Sequence, residues 1–193
     1  MKPTGIAGSI ALAAMVLLSG CAVGDDVKIL PPEAVEIDEP SLEFDGSLEP
    51  AAAVLPLVPE DTARLTVTDF EHVRLQLGQQ SLTTEDERQD RDAFWERARA
   101  ETPMLSTGTL RLNEEQLERK FGLSQMDVAW EAHFADAADS ETGFVLAFRD
   151  GTDMGAVERA QEAGYQPLQG ATVDRERGLV TSGTASDLSL IHI

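Results

Sequence analysis

The chain of 193 residues contains only one cysteine, Cys21. A single thiol excludes an internal disulfide, so the fold has no covalent cross-link to stabilise it. It also excludes zinc sites that are built from several thiolates. Disulfide scaffolds and thiolate zinc modules are therefore ruled out as classes for this protein.

Basic residues are also few, with 15 Lys and Arg residues against 35 Asp and Glu residues and a formal net charge of −20. A charge of this size repels nucleic acid and anionic lipid headgroups, and it keeps a protein soluble. Because the chain has no basic patch, nucleic-acid binding is excluded. A cationic partner or a divalent ion is compatible with this charge, although acidity more often serves solubility alone.

Sequence motifs for catalysis are missing as well. Beyond the first 20 residues there is no Gly-x-Ser-x-Gly, no Ser-x-x-Lys, and no Walker or dinucleotide-binding glycine pattern. Pairs of carboxylates for glycoside chemistry cannot be singled out among so many acids, because only their separation in space identifies them. The sequence therefore assigns no catalytic residue, no metal ligand and no cofactor.

The amino-terminal residues, by contrast, carry a strong signal. Lys2 precedes an apolar run over residues 5–18, which ends in Leu18-Ser19-Gly20-Cys21. This arrangement resembles the leader and lipobox of bacterial lipoproteins, in which a diacylglyceryl group is attached to the cysteine and the leader is cleaved before it. Three lysines against twelve arginines are typical of a GC-rich genome and point to an actinobacterial lipoprotein.

The resemblance implies a signal peptide over residues 1–20, lipidation of Cys21, and export to the outer face of the cell membrane. An uncleaved membrane-spanning helix is the alternative, because the apolar run is close to the required length of about 20 residues. Against it, small residues surround Cys21, and Asp25 and Asp26 follow where a basic stop-transfer cluster would stand. Once lipidated, Cys21 leaves the exported chain without a free thiol or a cysteine nucleophile.

Residues 21–60 have a composition of their own. They contain six prolines and ten acidic residues, and Lys28 is their one basic residue. Such a segment cannot bury enough apolar surface to order itself. We expect a disordered tether that contributes nothing to the core and holds the following domain away from the membrane.

The last six residues need a separate explanation. Residues 188–193 read Leu-Ser-Leu-Ile-His-Ile, which is the translation of the transposase mosaic end used to prepare sequencing libraries. We interpret them as an adapter sequence and expect the domain over residues 61–187 to be truncated at its carboxyl end. A native apolar strand is the alternative.

Hydrophobic periodicity predicts one α+β domain over residues 61–187. Alternating or continuous apolar residues predict four strands, and 3.6-residue periodicity with caps predicts five helices. We expect a mixed or antiparallel sheet of about four strands with helices on one face. The predicted strands cover residues 63–68, 143–148, 171–173 and 179–181, and the predicted helices cover residues 69–77, 84–101, 114–121, 125–134 and 153–163.

His133 is the most conspicuous candidate for chemistry, since Glu131 and Asp136 are close to it in sequence. A helical zinc site needs a second ligand four residues away, but Ala129 and Ala137 occupy those positions. On the predicted helix His133 falls on the apolar stripe of Trp130. We therefore interpret it as a hydrogen-bonded histidine in the core or at its boundary.

The remaining candidates have simple structural explanations. His72 lies off the inward face of its predicted helix, so we expect it to be exposed. The acidic stretch over residues 136–141 lacks the residue order of an EF-hand, so a solvated loop is favoured over a calcium site. Trp95 and Trp130 have a ring that could stack on a sugar, but their helical spacing places them in the core.

These observations predict a membrane-anchored cell-envelope lipoprotein that displays an acidic, non-catalytic binding or scaffolding domain. The predicted partners are the membrane, through the lipid on Cys21, and either an envelope protein or a cationic partner. One alternative is an envelope hydrolase with its catalytic residues beyond Asp187. A transporter's solute-binding lipoprotein is less favoured, because two-lobed receptors need regular alternation of strands and helices over a longer chain.

Overall fold

The computed structural model describes residues 43–138 and 142–183. The lipobox at residues 18–21 and the segment 188–193 lie outside the described residues, as do 139–141 of the acidic loop. The described residues contain five strands and five α-helices. The strands are β1 (Arg64–Asp69), β2 (Val128–Ala135), β3 (Thr142–Phe148), β4 (Thr172–Asp174) and β5 (Leu179–Ser182); the helices are α1 (Pro50–Ala53), α2 (Phe70–Leu77), α3 (Arg88–Glu101), α4 (Glu114–Phe121) and α5 (Met154–Glu162).

All five strands belong to one sheet in the order β1-β2-β3-β5-β4, and every neighbouring pair is antiparallel. The α+β class is therefore confirmed, with five strands where the sequence predicted about four. The four predicted strands correspond to β1, β3, β4 and β5. The additional strand, β2, lies between β1 and β3 and comes from a segment that the periodicity assigned to a helix.

The predicted helix over residues 125–134 is wrong. Ser124 does cap a turn, through a capping box with Asp127, but this turn is a 3-10 helix of three residues, Gln125–Asp127. The chain then continues as β2. Its side chains alternate between the two faces of the sheet, so that Trp130 and Ala132 face one side while Glu131 faces the other.

The helix α2 forms as its sequence predicts. The side chain of Asp69 accepts a hydrogen bond from the backbone N–H of His72 at 2.9 Å. Gly78 ends the helix in the left-handed conformation with φ of 67°, which glycine adopts without steric cost. The helix has a capping residue at each end, and its observed bounds agree with the predicted bounds to within one residue.

The start of α3 differs from the predicted capping box at Thr84. The helix begins only at Arg88, and its N-cap residue Glu87 makes no side-chain cap. The hydroxyl of Thr84 instead lies 2.6 Å from that of Ser124 and donates to Asp127 at 2.8 Å. A tertiary contact has therefore replaced the local one.

One face of the sheet carries the main core. Helices α2, α3, α4 and α5 pack there against side chains of β3 and β5. The predicted inward residues of α3, namely Phe94, Trp95 and Ala98, are all buried. The sequence predicted helices on one face of the sheet; α2 to α5 lie on this face, whereas α1 packs on the opposite one. The buried apolar side chains of this helix side include Phe70, Leu77, Leu110, Leu117, Met126, Leu146, Val157 and Val180.

The opposite face is covered by residues 43–58, which we call the strap. Helix α1 and the 3-10 turn Leu55–Leu57 lie within it. Ala53 and Val54 are buried against Trp130, Phe134 and other side chains of this face. The expectation that residues up to 60 contribute no core is therefore wrong for the strap. Its few apolar residues suffice because they pack on the apolar side chains that the sheet presents on this face.

No helix among the described residues is both long enough and apolar enough to cross a membrane.

Candidate functional site

The most elaborate polar arrangement lies on the helix side of the sheet, around β2. Glu131 is completely buried there, and His133, two residues along the same strand, is half-exposed. The two side chains share a face because side chains alternate along a strand. Ser106, Thr109 and Gln125 complete the group, which we call the Glu131 cluster.

Four donors surround the carboxylate of Glu131. The Ser106 hydroxyl donates a hydrogen bond to Oε1. The backbone N–H of Thr109 donates to Oε2 at 2.9 Å, and the side-chain amide of Gln125 donates to the same oxygen at 3.1 Å. His133 Nε2 lies 3.3 Å from Oε1. The buried charge is thus compensated by hydrogen bonds to both oxygens, as a buried carboxylate requires.

Further hydrogen bonds from the same cluster hold the loop over residues 106–110 in place. Gly108 donates its backbone N–H to Ser106 Oγ at 3.1 Å, and Leu110 donates to Gln125 Oε1 at 2.8 Å. Gly108 has φ of 100°, and a side chain there would come within 2.6 Å of Gln125. Both the conformation and the close approach therefore require glycine.

Two opposing effects act on the pKa of Glu131. Burial raises the pKa. The hydrogen bonds from His133, Ser106 and the Thr109 backbone, together with the charge of His133, lower the pKa by more than burial raises it. The net result is a pKa below the usual glutamate value of 4.5. Glu131 is therefore an ionised, fully buried acceptor at neutral pH.

His133 does not have the geometry of a catalytic base in a triad. In a triad the carboxylate orients one ring nitrogen while the other faces the nucleophilic hydroxyl. Here the hydroxyl of Thr109, at 3.0 Å, and the carboxylate of Glu131 both approach Nε2. The arrangement therefore orients the imidazole ring without preparing a hydroxyl for attack.

A small pocket adjoins this cluster at the end of the sheet. Its volume is about 280 Å³, and His133 lines it together with Arg64, Thr66 and Phe144. Thr66 and Phe144 are the cross-strand neighbours of His133 on β1 and β3. Among the described residues that line this pocket, none belongs to a helix.

A second buried polar network serves to hold the chain together. Arg74 is fully buried and donates to the carbonyls of Met126 and Val128 at 2.8 and 3.0 Å. Burial lowers its pKa to about 10. Asp127 has a raised pKa because its burial outweighs the hydrogen bonds from Ser124 and Thr84. Its contacts are internal, so we interpret this network as structural.

The other candidates have no ligand-binding arrangement. His72 lies 2.9 Å from Gln76 at the surface of α2, as its position on the helix predicted. Trp95 is buried in the core, and Trp130 is buried on the strap side. Within residues 43–138 and 142–183, no three His, Cys, Asp or Glu side chains are grouped to hold a metal ion.

Sequence reasoning singled out His133 but missed most of its surroundings. It placed the residue on a helix, and it gave no role to Ser106, Thr109 or Gln125. One signal was present: Glu131 alternates with Trp130 and Ala132, which places a charge at an inward position if the segment is a strand. The partners of Glu131 come from separate segments, and no local pattern could connect them.

Comparisons with protein-family models, with curated proteins and with solved structures find no match to this chain.

Proposed function

We propose that this protein is a membrane-anchored lipoprotein of the cell envelope and that its acidic α+β domain acts as a non-catalytic binding or scaffolding module. The lipobox-like sequence Leu18-Ser19-Gly20-Cys21 supports the anchor. The geometry of His133 supports the non-catalytic role, and this is the observation that carries the proposal. Both hydrogen-bonding partners approach the same ring nitrogen, which leaves no hydroxyl–imidazole–carboxylate relay.

The net charge of the whole chain limits the chemical classes of partner that the protein can bind. A net charge of −20 disfavours nucleic acid and anionic headgroups, and it favours neutral or cationic partners in the envelope. The described residues form a single antiparallel sheet rather than two α/β lobes. This topology argues against the transporter receptor that the sequence left as an alternative.

The proposed lipid anchor is tested by measuring whether Cys21 is required for acylation and for cleavage of the precursor. Attached acyl chains contribute about 0.8 kcal/mol for each buried CH₂, so the mature protein should stay with the membrane fraction. We expect radiolabelled palmitate to label the wild type and Cys21→Ala to remain an unlabelled, uncleaved precursor. Ser19→Ala keeps a small residue in the lipobox and is the matched control. Equal labelling of Cys21→Ala would exclude the lipoprotein proposal.

A further inference from the structure

A cavity of about 600 Å³ lies between the strap and one end of the sheet, and we call it the strap cavity. Phe44, Leu48 and Pro50 line it from the strap, and Trp130 lines it from the sheet. Leu48 is 50% exposed, whereas Trp130 is only 9% exposed. The strap therefore offers most of the apolar surface, and the volume lies within the usual range for ligand pockets, about 300–1,000 Å³.

Two carboxylates lie at the end of the sheet that this cavity adjoins. Strands β1 and β3 both run antiparallel to β2, so both end beside the residues at which β2 begins. Asp69 is the last residue of β1 and lies opposite Trp130, and Asp150 follows the end of β3 by two residues. Both acids line the strap cavity. The order of the strands thus brings together two acids that are far apart in sequence.

Asp150 is the more available of these two carboxylates. It is exposed, and its side chain makes no hydrogen bond or ion pair within the part of the chain that the structure describes. Asp69 is half-buried, and its Oδ1 accepts a hydrogen bond from the backbone N–H of His72. A ligand cation can therefore pair with Asp150 directly, while the charge of Asp69 adds to the attraction.

The two guanidinium groups that line the cavity already have partners. Arg149 Nε lies 2.7 Å from Glu71 Oε1, and the other two nitrogens of Arg149 donate to backbone carbonyls. Arg177 pairs with Asp174 at 3.8 Å. The lining has three carboxylates against these two guanidinium groups, and the whole chain has a net charge of −20. This field attracts a cation and repels an anion.

We infer that the strap cavity binds a small organic ammonium ion, whose charge pairs with Asp150 and whose apolar part packs on Phe44 and Leu48. The inference rests on the proposed function, because it names the ligand class of the binding domain. It agrees with the proposed preference for neutral or cationic partners. An ammonium group donates hydrogen bonds and accepts none, so it suits carboxylate oxygens that have no donor of their own.

A suitable probe is 2-phenylethylammonium, which joins an apolar ring to a positive charge. The full chain, purified in a mild detergent, would be titrated with this amine, with its neutral isostere 2-phenylethanol, and with the anion 3-phenylpropionate. With the amine we expect chemical-shift changes at the backbone amides of residues 44–48, 69 and 150 and at the indole N–H of Trp130. The other two compounds should bind at least about tenfold more weakly, because they lack the charge that pairs with Asp150.

Two variants test the proposed ion pair. Asp150→Asn should fold, because asparagine suits a turn as well as aspartate does, and it should weaken binding of the amine about tenfold. Asp69→Asn keeps an oxygen that can cap α2 and should weaken binding by a smaller factor. The matched control is Asp90→Asn in α3, on the opposite side of the sheet, which removes the same charge and should leave binding unchanged.

The inference would be overturned by 2-phenylethanol or 3-phenylpropionate binding as tightly as the amine, or by shift changes that map outside the strap cavity. A folded Asp150→Asn variant with wild-type affinity, or a wild type that does not bind the amine, would overturn it as well. Palmitate labelling of Cys21 does not depend on the strap cavity. A failure of the lipid anchor and a failure of the ligand site can therefore be told apart.

Discussion

At the scale of single residues, the most consequential side chain is Glu131. A fully buried carboxylate is costly unless it is bonded. Here both oxygens are contacted by polar groups, which belong to Ser106, Thr109, Gln125 and His133. Through these contacts, segments that are distant from one another in sequence are all attached to strand β2. Glu131 therefore determines where the loop lies and how His133 faces the pocket.

Glu131→Gln tests this role without changing the shape of the side chain. At pH 7 we expect the free energy of unfolding to fall by about 2 kcal/mol, because an amide can satisfy fewer of the buried donors and lacks the charge. Urea unfolding measures the difference. Glu115→Gln, on the exposed surface of α4, is the matched control and should change stability by less than about 0.5 kcal/mol.

The effect of Glu131→Gln should also depend on pH in a defined direction. The pKa of Glu131 is lower in the folded protein than its usual value of 4.5, so the carboxylate contributes stability above that value. This contribution is lost as the pH falls through the folded-state pKa. The gap between wild type and variant should therefore shrink at low pH. A gap that widens on acidification would contradict the assignment of Glu131 as an ionised acceptor.

At the scale of elements, the sequence predicted those whose signals are local. Helix α2 has a capping residue and a terminal glycine, and β3 is a continuous apolar run between turn residues. The prediction of a helix in place of strand β2 was wrong because Met126, Ala129, Trp130, His133 and Phe134 fit a helical period. Trp130, Ala132 and Phe134 also fit the two-residue period of a strand, and they share one face of the sheet. Pairing with two neighbouring strands decides between these patterns, and a single sequence cannot show that pairing.

Ala132→Lys separates the two interpretations of this segment. On the predicted helix position 132 lies outside the apolar stripe, so a lysine would be tolerated. In β2 the residue is fully buried on the strap side, and a buried lysine should lower the free energy of unfolding by about 3 kcal/mol or more. Thermal unfolding followed by circular dichroism measures this loss. Ala100→Lys, at an exposed position of α3, should unfold like the wild type.

At the scale of the whole molecule, the domain is a sheet buried between unequal layers. Four helices cover one face, and the other depends on a strap of sixteen residues that leads towards the amino-terminal segment. The composition of the strap did not predict this layer, because a segment rich in proline and acidic residues seldom folds by itself. The sequence predicted a tether, but it could not show the apolar sheet face on which residues 43–58 pack.

Two adjacent residues of the strap provide the sharpest test of that layer. Val54 is fully buried under the sheet and Leu55 is 59% exposed, so Val54→Asp and Leu55→Asp add the same charge at neighbouring positions. Val54→Asp should lower the free energy of unfolding by about 3 kcal/mol, because the charge must be buried or the strap released. Leu55→Asp should stay within about 0.5 kcal/mol of the wild type. Urea unfolding of the full chain measures both, and equal stability of the two variants would mean that the strap does not pack on the sheet in solution.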